Sequence, residues 1–212
     1  VKLTKLGHAC VRLEKDDRVI VIDPGIFSQE TDALDGVDAV LITHEHDDHL
    51  DAERVGRAMA GNPELRVYAN AAVAESYPEL AIERIGAGDR FTAAGFDVRV
   101  HGEWHAAGHP DDDIAANCGF LVDGEVFHPG DSLTVPEDRV STLLLPCDAP
   151  WLKGAEMVAY LREIAPPRAY AIHDAYVSQI GMERIVGGWL EYEAERAGAD
   201  IRPLKPGETV DL

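Results

Sequence analysis

The chain has 212 residues, 46% of them hydrophobic, which is enough to bury a substantial core without disulfide or metal staples. Its 39 acidic residues against 19 basic ones give a net charge of −20, a field that repels phosphate backbones and anionic lipid. Nucleic acid and membrane are therefore not expected partners, and no apolar stretch reaches the roughly 20 residues of a membrane span.

The first segment, VKLTKLGHACVRLE, alternates like a strand, with His8 in a Gly-His turn. It carries no signal-peptide pattern, so a cytoplasmic protein is expected. RVIVIDPG (18–25) is a nearly continuous apolar run closed by Pro-Gly, the pattern of a buried strand and its turn. DAVLITH (38–44) repeats that pattern and ends in a histidine-rich stretch. A helix is predicted over 51–61, with Asp51 as N-cap, Val55, Ala58 and Met59 on one face, and Gly61 at its end. LRVYAN reads as a strand and AAVAESYP as a short helix ended by Pro78.

β-type patterns then return. FTAAGFDVRVHGEWH (91–105) gives two strands around Gly95, the second running out at His105. CGFLVDGEVFHPGD (118–131) holds Asp-Gly between apolar runs, a strong hairpin signal. VSTLLLP and RAYAIH are buried strands, and the amphipathic GAEMVAYLREIAPP between them is a helix. GMERIVGGWLEYEAERAG (181–198) is expected to form a second long helix. Residues 1–212 thus read as one domain with two mixed sheets face to face and helices outside, a four-layer α/β arrangement. Cys10, Cys118 and Cys147 are far apart and form no CxxC pair, so they read as buried thiols.

The chemistry concentrates in LITHEHDDHLD (41–51). His44, His46, Asp48 and His49 place four ligand-type side chains in six positions at the end of a buried strand. A tight turn there points alternate side chains into one space, where imidazole nitrogen and carboxylate oxygen suit Zn2+, Mn2+ or Fe2+. Glu45 and Asp47, alternate with these, read as outward-facing. Further candidates also follow strands: His105 and His109 in GEWHAAGHP, Asp131 in FHPGDS, and His173 in YAIHD. His101 and His128, inside strands, read as structural. Asp23, at the end of VIDPG, is placed to hydrogen-bond a ligating histidine. Trp151 and Lys153, in PCDAPWLKG, are candidates for an apolar wall and an anion contact at a cleft mouth.

The order His44-x-His46-x-Asp48-His49, a histidine near 105, Asp131 in GDS and finally His173 resembles the metallo-β-lactamase-fold hydrolases. LGHACVRLE, IDPG and HPGDS resemble the short single-domain branch that includes the ascorbate-6-phosphate lactonase-like proteins. The resemblance implies an αββα sandwich with two divalent metals in a cleft along the sheet edges, zinc first and manganese or iron as alternatives. His44, His46 and a third histidine, either His105 or His109, would bind the first metal. Asp48, His49 and His173 would bind the second, with Asp131 between them. His8 would lie near the cleft as a substrate contact or a support for the ligands. The expected activity is attack by metal-bound hydroxide on a small-molecule ester, lactone, amide or phosphodiester, with Asp48 accepting the proton of the attacking water. A di-iron redox protein and a metal-stabilised binding protein are the alternatives, and a homo-oligomer is left open.

Overall fold

Short β-branched runs separated by Gly, Pro and Asp turns build fourteen strands in a computed structural model that describes residues 1–28, 33–111 and 113–212. One seven-stranded sheet comprises β1 (Lys2–Gly7), β2 (Cys10–Lys15), β3 (Arg18–Ile22), β4 (Ala39–Ile42), β5 (Arg66–Ala69), β6 (Ile82–Arg84) and β14 (Thr209–Asp211), in the order β14-β1-β2-β3-β4-β5-β6. The other comprises β7 (Arg90–Ala93), β8 (Phe96–His101), β9 (Gly119–Val122), β10 (Val126–His128), β11 (Thr142–Pro146), β12 (Arg168–Ile172) and β13 (Asp200–Pro203), in the order β13-β12-β11-β10-β9-β8-β7. Each sheet opens as an antiparallel meander and continues as parallel strands from its third or fourth member onward.

Side-chain alternation divides the core into three slabs. Leu3, Leu13, Ile20 and Leu41 of the first sheet meet Phe96, Phe120, Leu144 and Ile172 of the second in a central layer. On the outer face of the first sheet, Val40, Ile42 and Val67 pack against Val55 of α1 (Ala52–Gly61) and Val73 of α2 (Ala71–Ser76). On the outer face of the second, Leu143 and Leu145 pack against Met157 and Leu161 of α3 (Gly154–Ile164), with Leu190 of the C-terminal helix beside them. The αββα sandwich expected from the sequence is the architecture observed.

Local details follow the sequence closely in some places and depart from it in others. Asp51 caps α1 by accepting from the Arg54 amide at 3.0 Å, as its position before the apolar stripe predicts. Asp123 and Gly124 carry positive φ in the β9–β10 hairpin. By contrast, β8 ends at His101 rather than His105, because Gly102 turns the chain at φ 75°. The long helix expected over 181–198 is divided: a short turn, α4 (Gln179–Gly181), leads into a π-helical stretch Met182–Val186, and only Gly187–Ala197 is α-helical (α5). Gly187 and Gly188 weaken the α preference where the two meet.

Phe120 is fully buried where the two sheets meet. Phe120→Ala should cost about 3–5 kcal/mol and lower the melting temperature by roughly 10 °C, as read by calorimetry. A change of a degree or less would show that the sheets do not depend on this contact.

Candidate metal centre

Every residue of the site follows a strand. His44, His46, Asp48 and His49 come from the turn after β4, His105 lies in the loop after β8, Asp131 follows β10 and His173 follows β12. The β4 turn closes on itself, the amides of His49 and Leu50 both reaching the His46 carbonyl. The Asp23–Pro24–Gly25 loop packs against it: Ile26 N–H donates to the Asp47 carbonyl and Asp51 N–H to the Pro24 carbonyl. A methyl group on Gly25 would sit 1.9 Å from the Asp48 carbonyl oxygen, so only glycine permits that approach.

Hydrogen bonds set the tautomers. Thr43 Oγ1 donates to Asp23 Oδ2 at 2.7 Å, so it receives the His44 Nδ1 proton at 3.0 Å. His49 Nδ1 donates to Asp23 Oδ2 (2.7 Å), His173 Nδ1 to the Asp148 carbonyl (2.6 Å) and His105 Nδ1 to the Ala106 carbonyl (2.5 Å). In His49, His105 and His173 Nε2 is left for the cleft, the arrangement metal-ligating histidines adopt, whereas His44 Nε2 lies 3.0 Å from His46 Nδ1. Asp131 lies among them, with Oδ1 3.1 Å from His49 Nε2 and Oδ2 3.0 Å from His173 Nε2 and 3.3 Å from His105 Nε2.

These contacts are close without having hydrogen-bond geometry. His49 Nε2, His105 Nε2, His173 Nε2 and Asp131 Oδ1 are all buried with no hydrogen-bond partner. Orphaned polar atoms at such density are costly unless something else satisfies them. Donor atoms of His44, His46 and His105 lie within 4.8 Å of one another, as do those of His44, His49 and Asp131, and those of His8, Asp48, His49 and His173. The donor chemistry and the convergence fit the binding of a divalent cation.

His8 differs from the other rings. The Ala175 amide donates to its Nδ1 at 3.0 Å, so its proton is on Nε2 and is given to Asp48 Oδ2 at 3.1 Å. It therefore orients a carboxylate instead of offering a lone pair. His128, expected to be structural, uses both nitrogens, accepting from Gly130 N–H and donating to the Ala9 carbonyl. His109 is exposed, accepts from the Asp111 amide and lies outside the converging group. Trp151 donates from Nε1 to Asp131 Oδ2 at 3.1 Å and lines the cleft. Lys153, proposed from sequence as an anion contact, instead pairs with Glu156 at the start of α3. Asp47 is exposed, as expected, and lies at the cleft mouth.

Sequence reasoning missed the residues that brace this set. Asn117 donates to the Pro129 carbonyl and accepts from the Asp131 amide, fixing the Asp131 turn. Asn70 joins the Thr43 and Ala116 carbonyls across the two sheets. Buried asparagines in loops carry no pattern that marks such partners in advance.

The sequence profile of the beta-lactamase superfamily domain matches residues 2–173. The chain belongs to this superfamily. A Mycobacterium tuberculosis protein, Protein Rv0786c, is 37% identical over 183 residues, covering 84% of this chain and 86% of its own. A UPF0173 metal-dependent hydrolase of Methanopyrus kandleri is 29% identical over 238 residues, covering the whole of both chains. Among solved structures, the metallo hydrolase Igni18 of Ignicoccus hospitalis superimposes with a TM-score of 0.74 at 22% identity, covering 99% of this chain and 97% of its own. CmlA, a diiron β-hydroxylase from Streptomyces venezuelae, gives 0.73 at 15% identity, covering 100% of this chain and 54% of its own. Several relatives thus carry the name metal-dependent hydrolase, and this chain, a member of the beta-lactamase superfamily, gathers a His/Asp cluster that could hold a metal ion.

The electrostatics of the superfamily site show what the donors do without a cation. Burial lowers the pKa of His44 and His46, with neighbouring imidazoles His49 and His105 adding to it. Burial also works against charge on His49 and His173, yet Asp131 with Asp23 or Asp48 outweighs it, and His173 rises to about 9. Asp48 and Asp131 are held below the usual carboxylate range, against burial, by the surrounding imidazoles. Protons on His49 and His173 thus occupy the role a cation takes, and metal binding should release them.

Two expectations follow from this geometry. Both raised imidazoles stabilise the metal-free fold fully below their unfolded value near 6.5, and that stability is lost as pH climbs through the folded values. The lowered histidines still gain a little as their unfolded counterparts lose the last protons just above pH 6.5, and this offsets only part of the decline. Metal-free protein should lose about 5 °C in melting temperature between pH 6.5 and 9, and zinc should flatten the profile. A flat metal-free profile would contradict the assigned charges. Separately, Gly25→Ala should weaken metal binding by about ten- to a hundredfold in chelator competition, with the circular dichroism spectrum retained. Unchanged affinity would mean that the turn does not need the close approach of this loop.

Proposed function

We propose that the chain holds two divalent cations, zinc or manganese, and hydrolyses an ester, lactone, amide or phosphodiester bond of a small molecule. The observation that carries this reading is the set of buried, unpartnered donor atoms on His49, His105, His173 and Asp131. His44, His46 and His105 would hold one cation, and Asp48, His49 and His173 the other, with Asp131 between them. The cations, when bound, supply Lewis acidity that activates water and polarises the bond to be cut.

The protein's own groups do the remaining work. Asp48 Oδ2 is committed to His8, which leaves Oδ1 to take up the proton of the attacking water. His8 keeps that carboxylate oriented because its own ring is fixed by the Ala175 amide. Trp151 restrains Asp131 and shields one side of the cleft from solvent. His44 and His49 lie fully buried behind these groups, so a substrate meets His46, His105 and His173 first. We place the protein in the cytoplasm, a compartment that suits its three buried, unpaired cysteines.

Elemental analysis of purified protein together with a hydrolysis screen tests the proposal. Wild type should carry two zinc or manganese ions per chain. Asp48→Ala should lose one of them and at least about a hundredfold in turnover, with the fold intact by circular dichroism. Turnover unchanged in that variant would remove Asp48 from the mechanism. Two irons without hydrolysis would favour redox chemistry on the scaffold shared with CmlA. Folded protein that binds no metal under any loading condition would defeat both readings.

A further inference from the structure

The cleft above the metal centre has a volume of about 620 Å³, a size suited to a small molecule. Its lining holds four carboxylates, Asp47, Asp48, Asp113 and Asp131, and no lysine or arginine among the described residues. Two lysines tied to segments that line the cleft are engaged elsewhere. The Lys5 ammonium is buried against Asp174 and the Ala171 carbonyl, and Lys153 is paired with Glu156. Two dications would bring four positive charges to the floor, and these four carboxylates would cancel them. A net charge of −20 on the whole chain adds no attraction for an anion.

Apart from the metal-site histidines His46, His105 and His173, the rest of the lining is apolar and aromatic. Trp151, Ile114, Pro150 and Tyr176 face the same space, and Ile114 and Tyr176 are 52% and 56% exposed. Trp151 is held by its bond to Asp131, and Tyr176 is braced edge-on against Phe27 at 5.4 Å between ring centroids. Such a wall gives binding area to an apolar body, and its ring faces accept a cation but repel an anion.

Building on the hydrolase reading, we propose that the cleft selects an uncharged or cationic small molecule whose apolar body lies against Trp151, Ile114 and Tyr176. Asp47 and Asp113, at the mouth, are the residues that turn anionic molecules away. Of the four bond types above, this leaves the carboxylic ester, lactone and amide. Beyond the cations themselves, a phosphodiester or a phosphorylated sugar would meet no lysine or arginine among the described lining residues, and Asp47 and Asp113 would oppose its charge.

The test uses three aryl esters of one acyl length, ending in a methyl, a carboxylate or a trimethylammonium group, and their uncleavable ketone counterparts, in which a methylene group replaces the ester oxygen. With metal-loaded protein at low salt, kcat/KM for the carboxylate ester should be at least about tenfold below that of the methyl ester, and about 0.5 M salt should narrow the gap. Binding of the ketones, followed by tryptophan fluorescence and calorimetry, should show the same order. The double variant Asp47→Asn, Asp113→Asn should raise the carboxylate-to-methyl ratio about threefold or more in both measurements. If no ester is cleaved, the hydrolase reading fails, while the order of ketone binding still decides this inference. A carboxylate ketone that binds as tightly as the methyl ketone at low salt overturns it. So does a ratio unmoved by the double variant, or an absence of binding by all three ketones at millimolar concentration.

Discussion

Asp23 receives hydrogen bonds from the Thr43 amide, the Thr43 hydroxyl and His49 Nδ1, all between 2.7 and 2.8 Å and with no solvent contact. A carboxylate that is fully buried is expensive unless its oxygens are matched in this way. Because the matching groups, on Thr43 and His49, lie just after β4, one side chain joins the end of β3 to the turn that carries four candidate ligands. Through Thr43 it also fixes the His44 ring, so two imidazoles take their tautomers from a single anion. Without Asp23, His49 would lose the acceptor that aims its Nε2 into the cleft, and Thr43 would be free to turn.

The same logic of strand ends recurs in the backbone. His8, Asp23 and His173 all adopt left-handed φ values, 50°, 52° and 57°, directly after β1, β3 and β12. That conformation costs a non-glycine residue on the order of 1–2 kcal/mol, and three of them crowd around one cleft. The surrounding contacts hold them there. His173 N–H donates to the His8 carbonyl and Ala175 N–H to the His8 ring, which ties the β1–β2 turn to the loop after β12. Beneath them the buried Lys5–Asp174 pair anchors the same two segments. The strain reverses the chain abruptly, so that a side chain at the end of a strand points along the sheet edge into the site.

Much of this was legible in the sequence because it depends on local rules. Period-two burial, the Asp51 cap and the Asp-Gly hairpin each concern residues a few positions apart, and the crowding of His44, His46, Asp48 and His49 is a local anomaly. What could not be read depends on approach across the chain. Gly25 matters because the Asp48 backbone comes against it, and Asn70 and Asn117 matter because of carbonyls in distant loops. β13 and β14 are short and half-exposed, and β14 gains its place by pairing with β1 at the opposite end of the chain. His105 reaches the site by a route that periodicity does not anticipate. After β8 ends, an isolated bridge between Trp104 and Ala116 and the His105–Ala115 bond carry it back to the cleft.

The donors are divided between the sheets: His44, His46, Asp48 and His49 belong to the first, and His105, Asp131 and His173 to the second. Each group of converging atoms except the one built on His44, His46 and His105 includes an acid beside its imidazoles, and every group draws on both sheets. A cation held there closes the sandwich from its edge, while Leu41, Phe120 and their neighbours close it from within. The two are thermodynamically linked, because anything that binds only the packed arrangement stabilises it, and anything that loosens the packing weakens the binding. The spacing of the donors is therefore a property of the central apolar layer as much as of the polar cluster. A sequence that conserves volume in that layer preserves the site even where no residue in it touches a ligand.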